Sequence, residues 1–322
     1  MGLTDFQRVG LIGLGAMGYP MAQNLARNLP VETKLVVFDI SSPAVEKIAG
    51  EFPEKVERGN SAREVFSRSD AVITMLPEGH HVRSVYTGPD VHLDSECLEG
   101  KILIDSSTID VDSSLAVRDY LKGVAPTASF YAAPVSGGVY GASAGTLAFY
   151  VGITDSDGNF ETVKELLCCM GDKDKIIPCG YPASGLVAKI CNNYLSGVMN
   201  IAACEAMHLG VSAGLDPKVL HRVICAGAAR NGIIERSQPV PGIVPTAPST
   251  RGYSPGFKAS LMAKDVALAV KLGETSKANL VLGSTALSTY QSVLPESGDL
   301  DFTVLYRHIV RGASHQQETN GS

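Results

Sequence analysis

The stretch VGLIGLGAMGYPMAQNL, Val9–Leu25, carries Gly13, Gly15 and Gly18 directly behind a short apolar run and ahead of a helical pattern. Strand, then G-x-G-x-x-G, then helix is the setting in which this spacing acquires a physical meaning. The first glycine permits a tight turn, the second lets backbone approach a pyrophosphate, and the third lets the helix pack closely on the strand. The helix N-terminus adds unpaired N–H groups and a dipole that favour the phosphates. Taken alone, the pattern fits a plain glycine turn equally well. Asp39 tips the balance. It closes the second apolar run, 21 residues beyond Gly18, where a carboxylate accepts hydrogen bonds from the adenosine ribose hydroxyls. The same carboxylate repels a 2′-phosphate, and the following Ile40, Ser41 and Ser42 include no arginine to hold one. NAD is therefore expected rather than NADP. The competing reading of Asp39 is a turn residue or a helix cap.

Outward from this motif, short apolar runs alternate with helical patterns. Strands are expected at Arg8–Leu14, Lys34–Asp39, Asp70–Leu76, Lys101–Ser106, Ser129–Pro134, Thr146–Val151 and Lys175–Pro178, and helices lie between them, for example at Met17–Asn28, Pro43–Gly50 and Asp112–Gly123. Many of the runs are continuously apolar, as strands covered on both faces should be. Alternating β and α of this kind predicts an α/β fold with a doubly wound, mostly parallel sheet. After about Tyr181 strand-like runs vanish. Ala183–Ala213 reads as one long helix, apolar on nearly every face, hence a buried spine or a self-association surface. Ser237–Gly256 holds five prolines and three glycines and is expected to be loop, and Met262–Ala278 resumes helix. The expected organisation is a dinucleotide-binding domain over 1–181, an all-helical domain over 182–312, and a disordered polar tail over 313–322.

Composition narrows the function. Net charge is −6 and no basic cluster occurs, which argues against nucleic acid. No apolar run reaches membrane-span length. The seven cysteines include no C-x-x-C pair, and Asp5, Gln7 and Arg8 do not suit a signal peptide, so reduced thiols in a cytoplasmic compartment are expected. The histidines show no metal spacing, and neither H-E-x-x-H, G-x-S-x-G nor a P-loop occurs, so no metal is expected.

Two segments could carry chemistry. In Pro134-Val135-Ser136-Gly137-Gly138 the glycines expose successive N–H groups beside a hydroxyl, a possible nest for a carboxylate, though an ordinary loop reads the same way. In the long helix, Lys189, Asn193, Ser196 and Asn200 share one face. A polar stripe on a buried helix needs partners or a wet cleft. A partly desolvated Lys189 could exchange a proton with substrate, while a snorkelling surface lysine is the plainer reading.

At this point the chain resembles the β-hydroxyacid dehydrogenases, and within them the hydroxyisobutyrate branch. The resemblance spans about residues 8–310. It rests on GLGAMGYPMAQN from Gly13, APVSGGVYGASAGTL from Ala133, GLVAKICNN from Gly185, LMAKDVALA from Leu261, and PVPGI at Pro239–Ile243. It implies a Rossmann domain followed by an all-α domain built on the long helix. It implies Lys189 and Asn193 as catalytic residues and a substrate site of Ser136, Gly137, Gly138 and Asn193. It implies cofactor contacts at Gly13, Gly15, Ala16, Met17, Gly18, Asp39, Leu76, Pro77, Thr108 (in DSST) and Lys264. The implied activity is NAD-dependent oxidation of 3-hydroxyisobutyrate in valine breakdown, by a homodimer or homotetramer that takes a small hydroxyacid. Animal members are mitochondrial. The chain departs from the family's pattern at Ala132, where Asp is usual; at His81, where many relatives have Asn; and at Gly232, where the branch has Trp. It contains no Trp at all. Another small β-hydroxyacid, such as a tartronate-semialdehyde partner, and a non-catalytic dinucleotide-binding protein stay open as alternatives.

Overall fold

The computed structural model describes residues 2–89 and 91–320, with side chains as far as residue 312. The chain divides into two compact units, Met1–Lys189 and Ile190–Ser322.

The first unit contains six parallel strands: β1 (Arg8–Ile12), β2 (Lys34–Phe38), β3 (Val56–Arg58), β4 (Ala71–Thr74), β5 (Ile102–Asp105) and β6 (Ser129–Ala132), in the order β3-β2-β1-β4-β5-β6. Helices α1 (Gly18–Asn28), α2 (Ser42–Glu51), α3 (Ala62–Arg68), α4 (Gly79–Thr87), α5 (Ser95–Leu98) and α6 (Val111–Val124) make the crossovers. The continuously apolar strands are explained by two cores, one on each face. Leu35, Val37, Ala71, Ile73, Ile102 and Ile104 pack with Met21, Leu25, Val45 and Ile48. Their neighbours Val36, Val72 and Leu103 turn to the other face, against Val65, Phe66, Val82, Val117 and Leu121. The order reverses between β2-β1 and β4-β5, which makes the carboxyl edge of β1 and β4 the switch point where such sheets bind dinucleotides.

A smaller sheet follows: β7 (Val135–Ser136), helix α7 (Gly138–Ala144), β8 (Leu147–Val151), helix α8 (Phe160–Cys168) and β9 (Gly171–Pro178). Strands β3 and β7 were not expected from the sequence. At three and two residues they are too short to show periodicity. β9 starts earlier than expected, because its first half is polar and partly exposed.

Helix α9 (Ser184–Ser212) fulfils the long-helix expectation, but the division between the units falls inside it rather than before it. Its first turns belong to the sheet unit. A Cβ on Gly185 would lie 2.0 Å from the Tyr150 carbonyl oxygen, and Leu186 is fully buried in the second of the two sheet cores. The second unit adds α10 (Pro217–Ala226), α11 (Ala259–Ser276), α12 (Gly283–Ser297) and α13 (Leu305–Asn320) around Met207, Met262, Val266, Tyr290 and Val304. Ser237 closes a π-helical turn (Ile233–Ser237), and residues 238–256 form a loop with one 3-10 turn. It is pinned by the Ser249 hydroxyl donating to the Gln238 carbonyl (2.6 Å) and Tyr253 to that of Pro239 (2.9 Å). The tail expected over 313–322 overlaps the end of α13; the side chains of 313–320 and residues 321–322 lie outside what is described. Among the described residues no helix is long and apolar enough to cross a membrane.

Candidate active site

The glycine turn is built by close contact. Gly13 has φ +100, and a Cβ there would meet the Met75 carbonyl oxygen at 2.3 Å. A Cβ on Gly18 would fall 1.9 Å from the Gly13 carbonyl oxygen, so only glycine lets α1 start this near β1. Gly15 differs. It is exposed, and an added Cβ would meet nothing within 4 Å. Gly15 and Ala16 are exposed, Met17 is half-buried, and α1 opens without a side-chain cap. Asp39, the residue after β2, has both oxygens engaged: the Leu14 N–H donates to Oδ2 (2.6 Å) and the Ser41 N–H to Oδ1 (2.7 Å). The carboxylate is thereby fixed beside the turn. Open space at Gly15, an uncapped helix start and a fixed carboxylate fit a nicotinamide adenine dinucleotide.

Leu76, Pro77 and Thr108 follow β4 and β5, the next strands along the same edge. Leu76 and Thr108 are half-buried and Pro77 is exposed. What links these two loops is a side chain that sequence reasoning missed. Asp105, the last residue of β5, is fully buried. Its Oδ1 accepts from the Thr74 hydroxyl (2.8 Å), the Ser107 hydroxyl (2.6 Å) and the Ser107 N–H (3.2 Å), while Ser107 Oγ accepts from the Leu76 N–H (2.9 Å). Burial pushes the Asp105 carboxyl up to about 6 against the lowering effect of these donors. The native state then holds this proton more tightly than the unfolded chain. The associated stability is full below the ordinary carboxylate value of 3.8 and is lost as pH rises through about 6. The shift corresponds to about 3 kcal/mol. In urea titrations the stability of the wild type should therefore fall relative to Asp105→Asn by about that much between roughly pH 4 and pH 7. Parallel curves would sink the assignment.

The substrate-loop candidates adjoin this edge in the chain. Ser136 is half-buried and pairs with Ala148 of β8; Gly137 and Gly138 have φ +138 and +60, the positive values that favour glycine. Asn24, also missed as a site residue, is buried within α1. It donates to the carbonyls of Pro20 (3.0 Å) and Ala142 (2.6 Å), which ties α7 and its loop to the dinucleotide helix.

On α9, Lys189 is 7% exposed and Asn193 6%. Asn193 Nδ2 donates to Asp265 Oδ2 (2.5 Å), and its Oδ1 accepts from Asn192 Nδ2 (3.1 Å), which sets the orientation of the amide. The lower part of the polar stripe is structural. Asn200 donates to Tyr290 and to the Phe302 carbonyl, and Ser196 donates back to the Asn192 carbonyl. Lys264, on α11, is half-buried, with Nζ 3.7 Å from Asp265 Oδ1. At Gly232 a Cβ would meet Arg236 Nη2 at 2.7 Å, so the arginine lies against this glycine. All seven cysteines are free thiols, and among the described residues no group of His, Cys, Asp or Glu could hold a metal ion.

Comparison with known proteins places nearly the whole chain among relatives. Residues 8–180 match the NAD-binding domain model of 6-phosphogluconate dehydrogenase, and residues 183–309 the NAD-binding model of NADP-dependent 3-hydroxyisobutyrate dehydrogenase. The chain is 40% identical to mitochondrial 3-hydroxyisobutyrate dehydrogenase of Drosophila melanogaster, over 93% of this chain and 88% of that one. It is 38% identical to an NAD-dependent L-serine dehydrogenase of Pseudomonas aeruginosa, over 94% and 97%. The solved structure of Mycobacterium tuberculosis 3-hydroxyisobutyrate dehydrogenase with L-serine superimposes with a TM-score of 0.85 at 35% identity, covering 94% of this chain and 99% of that one. Similarity at this level over 93–94% of the chain shows that it belongs to the β-hydroxyacid dehydrogenase family of nicotinamide-dependent oxidoreductases acting on CH–OH groups.

Proposed function

We propose that this chain oxidises 3-hydroxyisobutyrate to methylmalonate semialdehyde with NAD, as in valine breakdown, with Lys189 moving the proton. The observation that carries the reading is Lys189 itself: a lysine only 7% exposed as a residue, one turn before an asparagine whose amide is fixed by Asp265. The bound nicotinamide supplies the acceptor for the hydride that leaves the carbinol carbon. The Lys189 amine takes the hydroxyl proton as the C=O bond forms, and returns it in the reverse direction. Asn193 holds the reacting oxygen beside that amine. The Ser136 hydroxyl and the N–H groups of Gly137 and Gly138 grip the substrate carboxylate, which limits the poses of the carbinol carbon. Gly15, Ala16 and Met17, on the turn that Gly13 and Gly18 make possible, take the pyrophosphate, Asp39 the ribose, and Leu76, Pro77, Thr108 and Lys264 the nicotinamide end.

A second substrate reading, L-serine, is favoured by the names of the Pseudomonas aeruginosa and Mycobacterium tuberculosis relatives. L-serine shares the carboxylate and the β-hydroxyl and differs at the α-substituent. The exposed Leu195 and Leu209 of α9 support self-association as a homodimer or homotetramer. The free thiols support a reducing compartment.

Formation of NADH is to be followed with 3-hydroxyisobutyrate, L-serine and tartronate-type hydroxyacids, with NADP run in parallel. The expected result is the highest kcat/KM for 3-hydroxyisobutyrate, and about 10²-fold preference for NAD from repulsion between Asp39 and a 2′-phosphate. A higher kcat/KM for L-serine would establish the second reading. Cofactor binding without turnover on any hydroxyacid would leave a non-catalytic binder.

A further inference from the structure

The buried groups behind the two loops assigned to the nicotinamide end form one connected relay. Tyr86, fully buried on α4, lies 3.2 Å from the Thr74 hydroxyl. The Thr74 hydroxyl donates to Asp105 Oδ1, so the phenol donates to Thr74. From the other side Ser107 donates to the same oxygen and accepts the Leu76 N–H. The register places Thr74 directly opposite Asp105, so the relay bridges the last paired rung of β4 and β5. Beyond that rung the chain at Ser106 donates to the Thr74 carbonyl (2.8 Å) and at Ala133 to that of Asp105 (2.7 Å). Asp105 Oδ2 and Ser106 Oγ, both buried, have no hydrogen-bond partner among the described residues.

A buried carboxylate half of whose oxygens go unpaired is a poor way to stabilise a fold, since an apolar pair of similar size does as well or better. Its strength is orientation: three donors converge on one oxygen and hold two loops in register. We propose that Asp105, through Ser107, is a positioning residue that locks Leu76–Pro77 to Ser107–Thr108 and so pre-organises the cofactor's nicotinamide subsite. The proposal rests on the cofactor assignment made above. Ionised Asp105 is the working form, because three donors suit a carboxylate, whereas a proton on Oδ2 finds no acceptor. Tyr86 is the titratable group that faces it, and its phenol is pushed up by burial and by the Asp105 charge.

The test is NADH binding by fluorescence titration, with steady-state kinetics and thermal unfolding, on wild type, Asp105→Asn, Asp105→Ala and Ser107→Ala. Asp105→Ala is expected to weaken NADH binding about 10-fold and to raise KM for NAD, with KM for the hydroxyacid unchanged, as for loss of a charged hydrogen-bond centre. Ser107→Ala, the gentler change, should weaken it about 5-fold in the same split. Asp105→Asn keeps the Oδ1 acceptor but, like the protonated acid, places unpartnered hydrogens at the Oδ2 position, so it should bind about 3-fold more weakly than wild type, the level to which protonated wild type also falls. Wild-type affinity should fall as pH drops below the carboxyl's titration, a limb that Asp105→Asn lacks. If folded Asp105→Ala and Ser107→Ala bind NADH like wild type, the positioning role is wrong while the cofactor reading stands. Equal losses in both KM values would also overturn it and mark a purely structural residue. A wild type that binds no NADH would overturn both.

Discussion

Lys189→Ala is expected to lose about 10³- to 10⁴-fold in kcat while NADH binds as in wild type, because positioned proton transfer contributes on this order. The size follows from the chemistry. Hydride departure and deprotonation of the hydroxyl together create the carbonyl, and without a base the proton must go to water in a site the substrate fills. Lys189 is 7% exposed, so removing it leaves a gap that water only partly repairs. Two further variants separate the roles of this side chain. Lys189→Arg keeps the charge but cannot release its proton, and should be as inactive as alanine. Added small primary amines should partly restore the alanine variant, with a rate that follows the fraction of neutral amine. Retention of more than about a tenth of wild-type kcat by Lys189→Ala would transfer the proton to another group, since even the low end of general-base catalysis exceeds that. A loss of NADH affinity to match the loss of kcat would make the lysine a cofactor ligand instead.

How far the sequence carried depends on the range of the forces involved. The long strands were legible because burial on both faces writes a continuous apolar run: Leu35, Val36 and Val37 point to alternate faces, yet all three are fully buried. The dinucleotide turn was legible because the positive φ of Gly13 and the contact of Gly18 with the Gly13 carbonyl are local demands, although the approach of Gly13 to Met75 is not. Helices α3 and α10 went unread although their starts are marked, by Ser61 capping the Glu64 N–H and by Asp216 ahead of Pro217. α3 is only seven residues long, but α10 matches α2 in length and repeats Val219, Leu220, Val223 and Ile224 at helical spacing, so its start signal and apolar stripe were both there to be read. In the site, the spacing of Lys189 and Asn193 was visible as a helical stripe. What holds Asn193 was not, since Asp265 lies 72 positions away. Asp105 lies 31 positions from Thr74, and a strand-end aspartate looks the same in sequence whether buried or solvated. Sequence patterns report a residue's own conformational needs; contacts made across the fold leave no such mark.

The glycine turn allows fold and ligand to be separated by a single methyl group at each of two positions. Gly15→Ala adds a Cβ into space empty of protein to 4 Å, at a residue without a positive φ, so the unfolding curve should match wild type within about 0.5 kcal/mol. That space is where the motif brings backbone against pyrophosphate, so NADH affinity should fall by about 10²-fold, the scale at which a blocked contact outweighs any rearrangement. Gly18→Ala behaves oppositely. Its Cβ would stand 1.9 Å from the Gly13 carbonyl oxygen, and no side-chain rotation relieves a clash with backbone. Helix α1 must then move away from β1, opening the core at Met21 and Leu25, both fully buried. A loss of about 3 kcal/mol is expected, from overpacking plus exposed apolar area, with NADH binding lost as a consequence. The contrast is the test. If Gly15→Ala binds NADH normally, the pyrophosphate lies elsewhere and the turn serves only the fold. If Gly15→Ala unfolds as readily as Gly18→Ala, the open space at Gly15 is needed by the protein rather than by its ligand.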